Sequence, residues 1–296
     1  MNPASILAGA ADGLLPVGQD CEIPSVDWWI SSRCNLACDF CYGPVPRKDP
    51  IERREAILAA LRHCSAPVVT FCGGEPLLVR KVDQYAAALA AQGKFTVLNT
   101  NGSLLRKRLS LGFELTFAMV GISVDGSTEA IHRAMRGSSA DLGEALLAAE
   151  IVARDPGTRL KLGTVVSNVN RDDLLSIARI VRDLRPDIWR LYQYSSRGAQ
   201  NFGQQRHQLP EKEFQNLADQ ATAVAAPVPT ARSSEAQTVG CFIVDPDGNV
   251  LQPVGGDYAY RGNCLTEPLD DIWNKIPARS AIMANKRWLS ILTSRT

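Results

Sequence analysis

Three cysteines fall within eight residues in the segment Arg33-Cys34-Asn35-Leu36-Ala37-Cys38-Asp39-Phe40-Cys41-Tyr42, out of eight cysteines in a chain of 296 residues. Soft thiolates select iron–sulfur clusters or zinc, and a C-x3-C-x2-C spacing lets one loop wrap three sulfurs around a single inorganic corner. A structural zinc site would need a fourth cysteine or histidine. The only histidine nearby in sequence is His63, which sits in a helical pattern. Three thiols alone favour a cubane with one iron left open. Eight cysteines in a chain this long are too sparse for a disulfide-stapled scaffold.

The elements that must carry this loop alternate. Runs rich in β-branched and aromatic residues occur at Val26–Ser31, Val68–Cys72, Phe95–Thr100, Phe117–Val124, Leu160–Val166 and Ile188–Tyr194. Between them, Ile51–Arg62, Lys81–Gln92, Leu142–Ala153 and Leu174–Leu184 place apolar residues at three- and four-residue spacing, with Leu104–Leu115 the weak link. Such alternation predicts a mainly parallel sheet with right-handed crossovers, so that every strand ends on one face, where active sites collect. The cysteine loop follows the first strand and lies on that face.

The pattern changes after Tyr194. Pro210–Ala225 reads as a helix, Cys241–Val244 and Asn249–Gln252 flank the turn Asp245-Pro246-Asp247-Gly248 as a hairpin, and Pro268–Asn274 and Pro277–Leu292 read as closing helices. This gives an N-terminal extension over 1–25, a barrel over 26–200 and a capping region over 201–296. Lys plus Arg number 32 and Asp plus Glu 31, so the net charge of +1 supplies no field for nucleic acid or anionic lipid. Hydrophobic residues make up 45%, enough for a large core, and no apolar run reaches the ~18 to 20 residues of a bilayer span. With no secretory signal pattern at the start, the cytoplasm is the expected location.

The spacing of Cys34, Cys38, Phe40 and Cys41 resembles the C-x3-C-x-aromatic-C signature of the radical S-adenosylmethionine (SAM) superfamily. The resemblance implies that the three thiolates hold a [4Fe–4S] cluster. The open iron would be chelated by the amino and carboxylate groups of adenosylmethionine, whose reductive cleavage yields a 5′-deoxyadenosyl radical. It also implies a partial (βα)6 TIM-type barrel, an α/β fold with a small C-terminal hairpin-plus-helices extension, covering about residues 26–195 and open on one side. Cys72-Gly73-Gly74-Glu75-Pro76 is similar to the family's GGEP motif: glycines admit close backbone approach and Glu75 could take a cationic amine. Thr100 and Asn101 in Asn99-Thr100-Asn101-Gly102-Ser103 offer partners for adenosine hydroxyls, although Asn-Gly is also a common turn pair. By the same resemblance Ser123 and Arg136 contact the ribose or carboxylate.

The segments Cys241–Val250, Arg261–Cys264 and Pro268–Trp273 resemble the shortened auxiliary region called SPASM or twitch. Cys241 and Cys264 are its only thiols, so four-thiolate ligation of a second cluster is impossible from this region alone. A cysteine here has another use, because its weak S–H bond can return hydrogen to a carbon radical from the opposite face and invert the carbon. That logic resembles the neomycin-type radical epimerase and makes Cys241, ahead of Cys264, the expected donor in antibiotic biosynthesis. A polyhydroxylated or amino-sugar substrate is then expected, gripped by Tyr192, Gln193, Tyr194 and the carboxylates Asp245, Asp247, Asp257 and Glu267, with flavodoxin or ferredoxin as electron donor. Rival readings are a peptide maturase, a viperin-like nucleotide dehydratase and a non-enzymatic iron–sulfur or zinc module. His132 and His207 have no partner in this reading.

Overall fold

Strands buried on both faces read as near-continuous apolar runs, and this chain folds them into one sheet. The computed structural model describes residues 23–198, 204–234 and 241–277. Among these, β1 (Val26–Ser31), β2 (Val68–Gly73), β3 (Phe95–Thr100), β4 (Met119–Ser123), β5 (Arg159–Val166) and β6 (Ile188–Gln193) pair in parallel, each beside the next. Connecting helices Arg54–His63, Val82–Ala90, Leu142–Arg154 and Leu174–Leu184 cover the outside. In the last of these, Leu174, Ile177, Ala178 and Val181 form the buried stripe. The weak link becomes the short helix Leu105–Ser110.

The sheet is larger than six strands. β7 (Thr230–Ser233) adds in parallel to β6, and β8 (Ile243–Val244) adds in parallel to the free side of β1 through Asp27↔Ile243 and Trp28↔Val244. The expected hairpin becomes a three-stranded antiparallel ribbon, with β9 (Asn249–Val254) and β10 (Asp257–Asn263) beyond β8. The order is β10-β9-β8-β1-β2-β3-β4-β5-β6-β7 among the described residues, a sheet whose two ends do not pair. Gly198 N donates to Gly256 O at 3.2 Å and the Tyr258 hydroxyl to Tyr42 O at 2.6 Å, which ties the β9–β10 turn over the rim.

One helix escaped the apolar periodicity. Glu129–Arg136 is only eight residues long and buries only His132 and Met135. The Thr128 side chain caps it by accepting from Ile131 N, and Gly137 ends it at φ 90°. The expected helix Pro277–Leu292 and most of the 1–25 extension lie outside the described residues.

Candidate active site

The cysteine loop leaves β1 at Ser31 and is clamped where it returns. Asp49 accepts from the Ser31 hydroxyl at 2.6 Å, from the Ser32 hydroxyl at 2.7 Å and from Ser32 N at 2.9 Å, while Arg54 Nη2 donates to it at 3.0 Å. Burial opposes ionisation, but these donors prevail and hold the Asp49 carboxyl below its ordinary range. The loop is therefore a closed ring rather than a free excursion.

Strand β2 then presses its end against that ring. Gly74 N donates to Ser31 O and Glu75 N to Arg33 O, both at 2.7 Å. Gly73 adopts φ +115°, and a Cβ on Gly74 would stand 2.0 Å from the Arg33 carbonyl oxygen, so the two glycines are dictated by backbone contact. Glu75 follows, buried to 1% exposure. Its carboxylate accepts from Leu77 N at 2.9 Å, the Thr100 hydroxyl at 2.7 Å and Asn101 N at 2.9 Å. A carboxylate has about four acceptor positions, so roughly one stays open for an incoming amine. Burial raises Glu75 against the pull of those donors.

Asn101 links the third strand back to the cysteines. Its Nδ2 donates to Asn35 Oδ1 at 3.0 Å, and Asn35 Nδ2 donates to the Ser103 hydroxyl at 2.9 Å. Asn35 lies between Cys34 and Cys38, so the Asn-Gly-Ser turn is more than a turn: it pins the loop. Ser123, at the end of β4, donates to Thr100 O at 3.4 Å.

Arg136 enters from the helix the periodicity missed. Its Nε donates to Asp125 Oδ2 at 2.5 Å, and its guanidinium stands 5.7 Å from the centroid of the Phe40 ring. Asp125, wholly buried, also accepts from Val165 N at 2.7 Å. Phe40, the aromatic residue between the second and third cysteines, packs with Met135 and Tyr194 in a small apolar cluster that Cys38 joins.

Burial, aided by the Arg136 charge, lowers His132 to about 4, and its Nδ1 accepts the Asp125 N–H at 3.3 Å as a neutral ring does. The unfolded chain takes up this proton near 6.5 and the folded chain only near 4, so the stability His132 contributes is complete above 6.5 and is lost as pH falls through about 4. Urea midpoints should fall across that window, and fall less steeply in His132→Gln. Equal slopes would show that another group controls the acid limb.

Every residue expected from the sequence to ligate the cluster or contact adenosylmethionine lines one cavity of about 290 Å³, and so does Cys241, the first-choice hydrogen donor. Cys34, Cys38 and Cys41 stand at its rim with Gly73, Gly74 and Glu75, while Cys241 lies on its wall with Cys72. Cys264 is elsewhere, packed in the main core with Cys64. The carboxylates expected to grip ammonium groups do not line the cavity. Asp245 accepts from Asp247 N and Asn249 N of its own turn, Asp247 pairs with Arg47 and Arg53, and Glu267 pairs with Lys275. Instead Lys161 on β5 and Arg190 on β6, neither of them anticipated, reach the interior at 3% and 5% exposure. Lys161 Nζ donates to Asn99 Oδ1 at 2.6 Å, and Arg190 Nη2 to the Ser233 hydroxyl at 2.5 Å. Gly121 makes this possible, since a Cβ there would lie 2.4 Å from Lys161 Cε.

The donor set suits a cluster. Burial pushes the Cys38 thiol up to about 12 and raises Cys34 and Cys41 too, and the Arg136 guanidinium pulls all three back. A coordinated metal deprotonates such thiols outright. Among the described residues no three His, Cys, Asp or Glu side chains are placed to hold a single ion. Three cysteine sulfurs on one loop suit a polynuclear cluster, which takes one sulfur on each of three irons. Among the described residues no helix is long and apolar enough to cross a membrane.

Comparison with known proteins agrees with this geometry. The chain is 27% identical over 259 residues to the S-adenosylmethionine-dependent nucleotide dehydratase of Lacinutrix mariniflava, covering 81% of this chain and 52% of that protein. It is 23% identical over 256 residues to the protein of the same name from Flammeovirga pacifica, covering 82% and 87%. The chain thus spans about half the length of the first of these relatives. In structure it is similar to Streptococcus suis SuiB bound to S-adenosylmethionine, with a TM-score of 0.68 at 16% identity over 89% of this chain and 68% of that one. It is also similar to anSMEcpe with bound AdoMet, with a TM-score of 0.64 at 17% identity over 91% and 88%. At such identities the likeness speaks for the fold. The model of the radical SAM superfamily matches residues 30–181, about half the chain. The chain belongs to that superfamily, and its cofactors are a [4Fe–4S] cluster and S-adenosylmethionine.

Proposed function

We propose that the protein acts on a phosphorylated nucleoside, removing a hydrogen from its sugar and eliminating water. The observation that carries this reading is the charge of the cavity wall. Four cationic side chains line it, Arg136, Lys161, Arg190 and Arg197, against two carboxylates, Asp27 and Glu75. An anion gains from such a wall and an ammonium group loses, the more so where water is scarce. The name carried by the two dehydratase relatives points the same way.

In this reading Cys34, Cys38 and Cys41 hold the cluster. Gly73, Gly74, Glu75, Thr100, Asn101, Ser123 and Arg136 seat adenosylmethionine at the rim, with the remaining acceptor position of Glu75 turned to its amine. When bound, these cofactors supply the carbon-centred radical that takes the substrate hydrogen. Lys161 and Arg190 then hold phosphate oxygens below, which aims the sugar upward at the rim. Residues 26–200 carry the cofactors, and the segment after 200 closes the substrate side.

The reconstituted protein, given adenosylmethionine and a reductant without air, should release 5′-deoxyadenosine faster with one of the nucleoside triphosphates than with an aminoglycoside or a peptide. It should yield a product lighter by one water. Stimulation by the aminoglycoside alone would refute the nucleotide reading. Lys161→Met should raise KM for that nucleotide about 10- to 100-fold, the loss of one charged hydrogen bond, while leaving the substrate-free cleavage of adenosylmethionine in place.

Epimerisation is the second reading, and the position of Cys241 on the cavity wall favours it. There the thiol returns hydrogen to the substrate radical. Turnover in heavy water should place solvent deuterium on a product carbon, and Cys241→Ala should abolish that incorporation. A product free of deuterium would rule out the thiol as donor.

A further inference from the structure

Asp39 sits between the second and third cysteines, and its carboxylate is claimed by a segment 168 positions away. His207 Nε2 lies 2.8 Å from Asp39 Oδ1, and Arg206 pairs with Oδ2 of the same carboxylate. His207 is completely buried although it belongs to a short turn, Gln205–His207, outside the strands and helices of the barrel. Its ring is held on two sides, 5.7 Å from the Phe40 centroid and 5.3 Å from that of Tyr194.

A carboxylate oxygen accepts, so Nε2 is the donor to Asp39. Nδ1 lies 3.2 Å from the Ser167 hydroxyl at the end of β5. The backbone repeats the connection, since Asn168 N donates to His207 O at 3.2 Å. A chain of contacts therefore runs from the fifth strand through Ser167 and His207 to Asp39 and the backbone that spaces Cys38 from Cys41.

We propose that His207 is a positioning residue for the iron–sulfur cluster. Acting through Asp39 with Arg206 beside it, His207 holds the Cys38–Cys41 stretch in the conformation that presents both sulfurs. The turn at 205–207 thereby belongs to the outer shell of the cluster, although it lies far along the chain from the cysteine signature and outside the region the superfamily model matches. The logic is that of outer-shell partners generally, which orient ligands without touching the metal and whose loss typically costs about 10- to 100-fold in metal affinity. This inference depends on the cluster and not on which substrate the enzyme takes.

The test uses the reconstituted 296-residue chain without air and measures the rate at which a ferrous chelator strips its iron, with the thermal midpoint of the metal-free chain as a control. His207→Ala and Asp39→Ala should each release iron about 10-fold faster than the parent. His207→Gln, whose amide can still donate to Asp39, should restore slow release. Asp39 is a third exposed, so its replacement should lower the metal-free midpoint less than His207→Ala does, and it stands as the decisive variant should His207→Ala fail to fold. Release at the parent rate from Asp39→Ala overturns the proposal. Release from His207→Gln as fast as from His207→Ala overturns it too, because the ring would then matter only as packing.

Discussion

The Asp125→Ala protein is expected to be less stable than the parent by about 3–5 kcal/mol, the cost of leaving a buried charge without its partner. The side chains of Arg136 and Asp125 are 11% and 0% exposed, so water cannot replace the lost carboxylate. A second donor is orphaned with it, because Val165 N gives its hydrogen to the same side chain. Asp125→Asn keeps an oxygen for Val165 but offers Arg136 a neutral group, and should fall between the two. Denaturant titration of the metal-free protein reads all three. A loss under about 1 kcal/mol for the alanine variant would mean that Arg136 finds another anion within the cavity. Pairing Asp125→Leu with Arg136→Met should recover much of the stability, since a buried ion pair is often no better than an apolar pair of similar volume. The same double variant should lose iron–sulfur function, because the cation facing the thiols goes with it.

Gly74→Ala should have the largest effect on the cofactor for the smallest change in the chain. The added methyl would lie 2.0 Å from the Arg33 oxygen and 2.4 Å from its carbonyl carbon, both backbone atoms that no rotamer can move. Strand β2 or the cysteine loop must shift, and either shift breaks the bonds from Gly74 N and Glu75 N that join them. The expected stability loss is only about 1–3 kcal/mol, typical of overpacking. Iron content after reconstitution should nonetheless fall by most of its value, and binding of adenosylmethionine, read by equilibrium dialysis, should fall with it. Normal iron content in a folded Gly74→Ala protein would show that the loop tolerates displacement.

Much of the scaffold was legible because its determinants are local. β1 and β3 begin and end where the apolar runs do, and helix Leu174–Leu184 matches its stripe at both ends. β7 and β10 were missed for a physical reason: Thr230–Ser233 is too short and polar to stand out, and Asp257–Asn263 lies at an edge with no position fully buried. The cysteine spacing, the two glycines and Glu75 announced themselves as motifs. Their supports did not. Asp49 reaches back 18 positions to Ser31, Lys161 reaches 62 to Asn99, and Asp39 meets His207 across 168. A polar residue that will be buried by such a partner looks in sequence like any solvent-facing one. Only the topology, which brings the ends of β1 to β6 to one rim, turns these separations into contacts.

The placement of β8 matters to anyone who would graft a different C-terminal segment onto this barrel. The seam to preserve is not the stretch near residue 200 but the two-rung ladder Asp27↔Ile243 and Trp28↔Val244. A chimera joined one residue out of phase would swing Ile243 and Val244 to opposite faces, withdrawing Ile243 from the cavity wall it lines. It would also drag the Tyr258 ring from its edge-on contact with Trp29, on the strand that feeds the cysteines. Donor segments for such hybrids are best matched on those two rungs before any attention is given to the length of the join.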